Sequence, residues 1–399
     1  MAERYLAILV LSIEKVMKMI YLDNHATTAC DPKVVEVMLP YYSEHFGNPS
    51  STIHSEGRKV ADAIDMARKQ VALLIGAKPK EIVFTSGATE SNNIAIQGLV
   101  RSSDGTRRKI VATPIEHKAI LNQCKAMEKL GYKIVLLPVD RAGEVDLCEA
   151  EKIIDKETLV VSIQAASNEI GTIQPIRKLA VIAHAVGAYF HTDAAQAVGK
   201  ILVDVHEWDI DLLSISAHKL YGPKGVGALF VRDGAYSMPI SPLVYGGEQE
   251  YNLRSGTLNS PGIVGIGKAC ELCTQELENE MKRLSSMRDY FENQLFEHEQ
   301  LEIQRNGSIA NRLPHNSSLT FKGIDAEALI VNMPELAIST SSACTSGALE
   351  PSIVLQAIGL SRDDAYSTIR IGFGRFNTDD EIKIVADILV RSIQKLRSV

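Results

Sequence analysis

Several signals are scarce in this 399-residue chain, and each scarcity narrows what it can be. Cysteine is sparse. Six residues, at 30, 124, 148, 270, 273 and 344, are spread too thinly for a disulfide framework, and a reducing cytoplasm is the simplest setting. Excess charge is small: 42 basic against 49 acidic side chains give a net charge of −7, which points away from general nucleic-acid affinity and from a polybasic membrane anchor. Long hydrophobic runs are missing as well. The stretch YLAILVLSI (5–13) falls short of the ~20 residues a bilayer span takes. Glu3 and Glu14 flank it and no small-residue cleavage site follows, so no secretory signal is expected. Residues 1–19 read as an N-terminal extension or an upstream start, because Met17 and Met19 immediately precede IYLDNHATT. Repeats and low-complexity segments are lacking too.

What is present is an ordinary globular balance, 45% apolar and 23% charged, in a chain long enough for two domains. Val60, Ile64, Ala67, Val71 and Leu74 recur at helical spacing. Short β-rich runs follow: EIVFT (81–85), KIVAT (109–113), KIVLLPV (133–139), TLVVSIQ (158–164), AYFHTD (188–193), LLSIS (212–216) and GALFV (227–231). Helical patterns at 89–103, 117–129 and 176–187 separate most of them, which predicts a mostly parallel sheet covered on both faces. A long charged helix pattern spans 263–298, and the texture changes beyond it. The expected division is a large α/β domain over 20–275, its first residues packing on the second domain, and a smaller α+β domain over 276–399 that closes with an amphipathic helix at 379–397. Cys270 and Cys273 form a lone CxxC on the long helix; without a second ligand pair they read as core-facing cysteines rather than a zinc or redox site.

Ligands of open α/β sheets bind outside the carboxyl ends of the strands. After EIVFT, the small residues SGATES (86–91) open a helix whose free amides suit a phosphate, although an ordinary helix cap looks similar. Asp193 ends a strand with Gln196 three residues on, either as a helix cap or to hold a ring nitrogen protonated. Ser216, His218 and Lys219 end the next strand before the sharp Gly222–Pro223 turn, where a positioned lysine can form a Schiff base. His117 follows another strand, where an imidazole can stack on a planar ring. Together these are the parts that pyridoxal 5′-phosphate (PLP) needs, a cofactor whose protonated pyridine is an electron sink. Cys344 lies in STSSACTSGALEP (339–351). The segment's Ser, Thr and Gly density describes a movable loop, with Cys344 either a bland turn residue or a partly exposed nucleophile.

From about Ile20 onward the chain resembles the cysteine desulfurases, class V and fold-type I PLP enzymes. The resemblance rests on FTSGATESNN (84–93), EHKAI (116–120), NEIGTIQPI (168–176), HTDAAQAVGK (191–200), SAHKLYGPKGVGAL (216–229), LRSGTLNSPGIVG (253–265) and SSACTSGALEPS (341–352). It implies that Lys219 carries PLP and that His117 stacks on the ring and moves protons. It further implies that Asp193 pairs with the pyridine nitrogen and Gln196 with the phenolic oxygen. Ala88, Thr89, Ser216 and His218 would hold the phosphate, joined by Thr257 from the partner subunit of a homodimer. Asn168 and Arg370 would bind the substrate carboxylate. L-cysteine would yield L-alanine and a persulfide on Cys344, passed to a protein sulfur acceptor. Iron–sulfur cluster assembly is the leading destination, with tRNA thiolation and DNA phosphorothioation as alternatives. SACTSG is similar to the long-loop type of the family. Departures are Ser341 and Glu248 where glycines are common, Tyr251-Asn252 where Arg-Gly is common, Ser167 for a frequent Asn, and His25 at a variable site. Competing readings are another PLP lyase or aminotransferase, such as a selenocysteine lyase, and a non-catalytic scaffold that binds a sulfur acceptor. No metal, membrane or direct nucleic-acid partner is expected.

Overall fold

A computed structural model describes residues 19–340 and 350–398 of the chain. The β-rich runs form seven strands: β2 (Ile82–Thr85), β3 (Lys109–Ala112), β4 (Lys133–Leu136), β5 (Thr158–Ser162), β6 (Tyr189–Asp193), β7 (Leu212–Ser216) and β8 (Gly227–Val231). They join in one sheet of order β2-β8-β7-β6-β5-β3-β4. Every neighbour is parallel except β8, which runs antiparallel to both β2 and β7. The connection explains the exception. A parallel return needs a crossover of a dozen or more residues, whereas 217–226 is a tight turn through Gly222 and Pro223. Residues of the inner strands β5 and β7 are buried along their whole length, which is why they read as continuous apolar runs rather than alternating ones.

The expected amphipathic helix spans Ser55–Leu74 and buries Val60, Ile64, Ala67 and Val71. It packs along the longest helix of the protein's described residues, Ser260–Phe296. Pro261 sits in the first turn of that helix, where its missing N–H costs nothing, and the Asn259 side chain accepts from Gly262 N. Its first half gives Ile263, Ile266, Cys270 and Cys273 to the core under the large sheet. Its second half gives Leu284, Met287, Phe291 and Leu295 to a second core. Cys270 and Cys273 are thus core residues, and no metal-binding cluster occurs among the described residues.

The second core lies under a four-stranded antiparallel sheet of order β12-β13-β10-β9, built from β9 (Ile303–Arg305), β10 (Asn316–Phe321), β12 (Ser339–Thr340) and β13 (Thr368–Gly372). β1 (Ile20–Tyr21) pairs in parallel with β11 (Leu336–Ala337), and Ile20 and Leu22 enter the same core. The helix Asp379–Arg397 closes this layer. Its capping box is complete: Thr378 Oγ1 accepts from Glu381 N, and Glu381 Oε2 accepts from Thr378 N. The carboxyl ends of β2, β3, β5, β6 and β7 therefore open on one edge, and β13 brings Arg370 towards them from the other sheet.

Candidate active site

A cavity of about 440 Å³ occupies that edge. Ala88, Thr89, His117, Asn168, Asp193, Gln196, Ser216, His218, Lys219 and Arg370 all line it. Two expected site residues lie elsewhere. Thr257 is exposed and lines no part of this chain's cavity, and Cys344 falls outside the described residues.

At one end the Ala88–Ser102 helix begins with Gly87 at its cap, which has no side chain to accept from the first-turn amides. Those N–H groups face the cavity as a ready anion site. Two glycines make the close approach possible. Gly87 has φ 149°, and a Cβ on Gly227 would lie 2.6 Å from Gly87 Cα, so β8 leaves room for the turn only because residue 227 has no side chain. Ser216, His218 and Lys224 complete this end. His218 stays neutral: burial, then the charges of Lys219 and Lys224, lower its pKa to about 4.

Lys219 leaves β7 on a single 3-10 turn and donates from Nζ to His25 O at 2.5 Å and Ala26 O at 2.7 Å. The backbone then passes through Tyr221 in the left-handed region, φ 65°. This strained residue is clamped: Lys200 Nζ and Arg375 Cζ lie 3.8 and 4.2 Å from its ring centre, and its Oη accepts from Arg375 N at 2.7 Å. Asp193 is nearly buried. Its Oδ1 accepts from Ala195 N and its Oδ2 from Asn92 Nδ2 at 2.7 Å. His117 caps the Lys118–Glu128 helix through Nδ1, which accepts from Ala119 N. Loss of solvent on its protein side lowers its pKa, against the pull of Asp193 and with the help of Lys219.

The opposite wall is Arg370, 1% exposed. Its Nη2 donates to Asp23 Oδ1 and Ser339 Oγ, both at 2.9 Å, and its Nη1 to Asn168 O at 3.3 Å. Its Nε is buried with no partner. Arg370 lines the cavity wall, where a guanidinium suits a carboxylate. Nearby, Glu169 accepts from Ser352 Oγ at 2.5 Å, and burial raises its pKa to about 7. Ser339 on Arg370 and Ser352 on Glu169 thus tie both flanks of the segment containing Cys344 to the cavity rim.

Sequence reasoning missed some of this. Asn92, Gln164 and Lys224 also line the cavity, as does His25, which the sequence marks only as a variable position. Asn92 had a signal, a polar side chain on the buried face of a helix beside a strand-end carboxylate. The departures before Thr257 also have a structural counterpart. Glu248, Glu250, Tyr251 and Asn252 all take positive φ, at 61°, 48°, 59° and 59°. Glu250 holds this turn in place with a bidentate pair to Arg68 at 2.6 and 2.8 Å, and its carboxylate accepts from Phe84 N at 2.6 Å.

Fold and cavity together define an α/β enzyme site with a lysine, a carboxylate and an imidazole at one sheet edge, faced by an arginine. The family model aminotransferase class-V matches residues 20–385. A cysteine desulfurase IscS of Dictyoglomus turgidum is 46% identical over 95% of this chain and 96% of its own length. The cysteine desulfurase of Mus musculus is 44% identical over 96% of this chain and 83% of its own. Among solved structures, a NifS-like protein has TM-score 0.87 and 37% identity, covering 96% of this chain and 100% of that one. SspA in complex with cysteine has TM-score 0.78 and 37% identity, covering 90% and 99%. The chain belongs to the class-V aminotransferase family, and within it to the cysteine desulfurases.

Proposed function

We propose that this protein is a PLP-dependent cysteine desulfurase that converts L-cysteine to L-alanine and takes the sulfur as a persulfide on Cys344. The observation that carries this reading is one cavity holding Lys219, Asp193 and His117 opposite the guanidinium of Arg370. The residues fit the cofactor. An uncapped helix N-terminus with Ser216 and His218 suits its phosphate, Asp193 suits a protonated ring nitrogen, and Lys219 is the amine for its carbonyl. Bound PLP supplies an electron sink that loosens bonds at the carbons of an attached amino acid.

The chain's own groups do the rest. Arg370 and Asn168 hold the substrate carboxylate and so orient the sulfur. The Lys219 amine accepts and returns protons at Nζ, and His117, whose Nδ1 is taken by the Ala119 N–H, gives up a proton at Nε2 and takes it back. The Cys344 thiolate attacks the substrate sulfur: the new S–S bond forms as the C–S bond breaks, and a proton replaces sulfur on the carbon that becomes the methyl group of alanine. No external oxidant or reductant is needed.

Delivery into iron–sulfur cluster assembly is the destination that the IscS-named relatives support. A homodimer fits the exposed Thr257, which is free to contribute to the cavity of a second copy. The five cysteines among the described residues are all free, which favours the cytoplasm.

Turnover of L-cysteine tests the reading, with alanine and protein-bound persulfide scored for wild type, Lys219→Ala and Cys344→Ala. Both variants should lose alanine formation, and Cys344→Ala the persulfide. Undiminished alanine from Cys344→Ala overturns the persulfide route, and a purified protein that takes up no PLP overturns the cofactor assignment.

A further inference from the structure

His25 is 1% exposed, lines the cavity, and has no part in the chemistry above. Its hydrogen-bond directions follow from its neighbours. Asn316 Nδ2 lies 3.4 Å from the backbone oxygen of Glu169, which can only accept, so this atom is the amide nitrogen. The same nitrogen lies 3.1 Å from His25 Nε2, which therefore accepts. In the neutral ring the proton is then on Nδ1, and Nδ1 lies 3.1 Å from Gln196 Oε1. At the other end of that amide, Gln196 Nε2 donates to His25 O at 3.0 Å. A single residue thus holds both ends of Gln196, the oxygen with its ring and the nitrogen with its backbone. The same carbonyl receives Lys219 Nζ.

Two further features keep the ring in this state. His315, itself fully buried, stacks on it with ring centres 4.4 Å apart and planes 29° from parallel. Burial first, then the charge of Arg370 with Lys219 and Lys200, lowers the His25 pKa to about 3 against the opposing bond from Gln196. Neutral over the working pH range, the ring has one donor and one acceptor, and both are committed.

We propose that His25 is a positioning residue that fixes the Gln196 amide so that its remaining N–H, rather than its carbonyl, faces the cavity and donates to an anionic oxygen of the bound cofactor. This deepens the reading above and rests on the cavity holding PLP. An amide free to rotate would present its oxygen part of the time, repelling the anion it is placed to stabilise. Because His25 O also receives Lys219, the same residue sets the spacing between that donor and the amine.

The test uses His25→Phe, which keeps a stacking ring and the backbone carbonyl but removes both ring hydrogen bonds. His25→Asn is its rescue, since it returns an amide donor near the Nδ1 position. PLP uptake by the apoprotein and the pH midpoint of the holoprotein's visible absorption band are measured without substrate. His25→Phe should bind PLP about tenfold more weakly, the effect of one unmade buried hydrogen bond, and should shift the midpoint. His25→Asn should restore both. His25→Phe matching wild type in both measurements overturns the proposal while leaving the cofactor assignment intact, whereas wild-type apoprotein that takes up no PLP overturns both. Independently of any variant, ¹⁵N-histidine NMR of the wild type should show the His25 proton on Nδ1, and a proton on Nε2 overturns the proposal.

Discussion

Replacing Arg370 with lysine isolates what the guanidinium does for a bound amino-acid carboxylate. Of the five N–H donors of arginine, three are committed to Asn168 O, Asp23 Oδ1 and Ser339 Oγ. That leaves one N–H of Nη1 for a ligand, because the unpaired Nε is itself sealed from solvent. Lysine keeps the positive charge, so Asp23 retains a partner and the fold should lose little. What is lost is the fork: with its ammonium drawn to Asp23, at least one charge-assisted bond to the substrate carboxylate is missing. Such a bond contributes about 1.5–3 kcal/mol, so L-cysteine should bind roughly 10–150-fold more weakly. The assay is a titration of the holoprotein's visible spectrum with L-cysteine and, in parallel, with cysteamine, which carries the amine and thiol without the carboxylate. Arg370→Lys should lose affinity for cysteine and leave cysteamine nearly unchanged, with a melting temperature close to wild type. Equal losses for the two ligands, or none for cysteine, would refute the carboxylate assignment.

Other parts of the structure can be tested as directly. His191 is fully buried between Ser162 Oγ and Ser214 Oγ, and burial lowers its pKa to about 4, against the pull of Asp193. The unfolded chain binds its proton near pH 6.5, so the stability it contributes is complete above that pH and is lost as pH falls to about 4. Across that window His191→Gln should flatten the slope of unfolding free energy by about 1.4 kcal/mol per pH unit; identical slopes for the two proteins would count against a neutral buried ring. Gly227→Ala would place a Cβ 2.4 Å from Ile215 O and 2.6 Å from Gly87 Cα. It should cost about 3 kcal/mol in urea unfolding and weaken PLP uptake, and an unchanged midpoint would contradict the close approach. Phe291, fully buried and edge-on to Phe373 with ring centres 5.5 Å apart, anchors the second core. Truncation to alanine should cost about 3–5 kcal/mol, and a loss below 1 kcal/mol would show that the core collapses around the gap.

Much of the site could be read without coordinates because of where its residues sit. Asp193, Ser216 and Lys219 close strands whose neighbours in the sheet are also close in the chain, so alternating strands and helices suffice to place them on one edge. The antiparallel β8 was legible in its short Gly-Pro turn, although the pattern of strands alone speaks only of a mostly parallel sheet. Arg370 is different. It reaches the cavity from the other sheet, 202 residues from the Asn168 carbonyl it touches, and only the family resemblance points to it. His25 lies 171 residues from Gln196 and 291 from Asn316, and no periodicity links a turn histidine to such partners. The left-handed turn at 248–252 also runs against local preference. Glu248 and Asn252 stand where glycine is common, and the conformation persists because Glu250 is pinned by Arg68 and Phe84, contacts that exist only in the folded protein.

The helix Ser260–Phe296 spans ~55 Å at 1.5 Å per residue. From Lys268 to its end it contains neither glycine nor proline, the usual sites of a kink. It acts as a beam shared by both cores, so the sheet carrying Arg370 cannot swing relative to the sheet carrying Lys219 without bending it. The span from Arg370 to Lys219 is therefore built in when the chain folds. For a substrate carboxylate held at Arg370, as proposed above, that fixed distance selects one separation of carboxylate from amine.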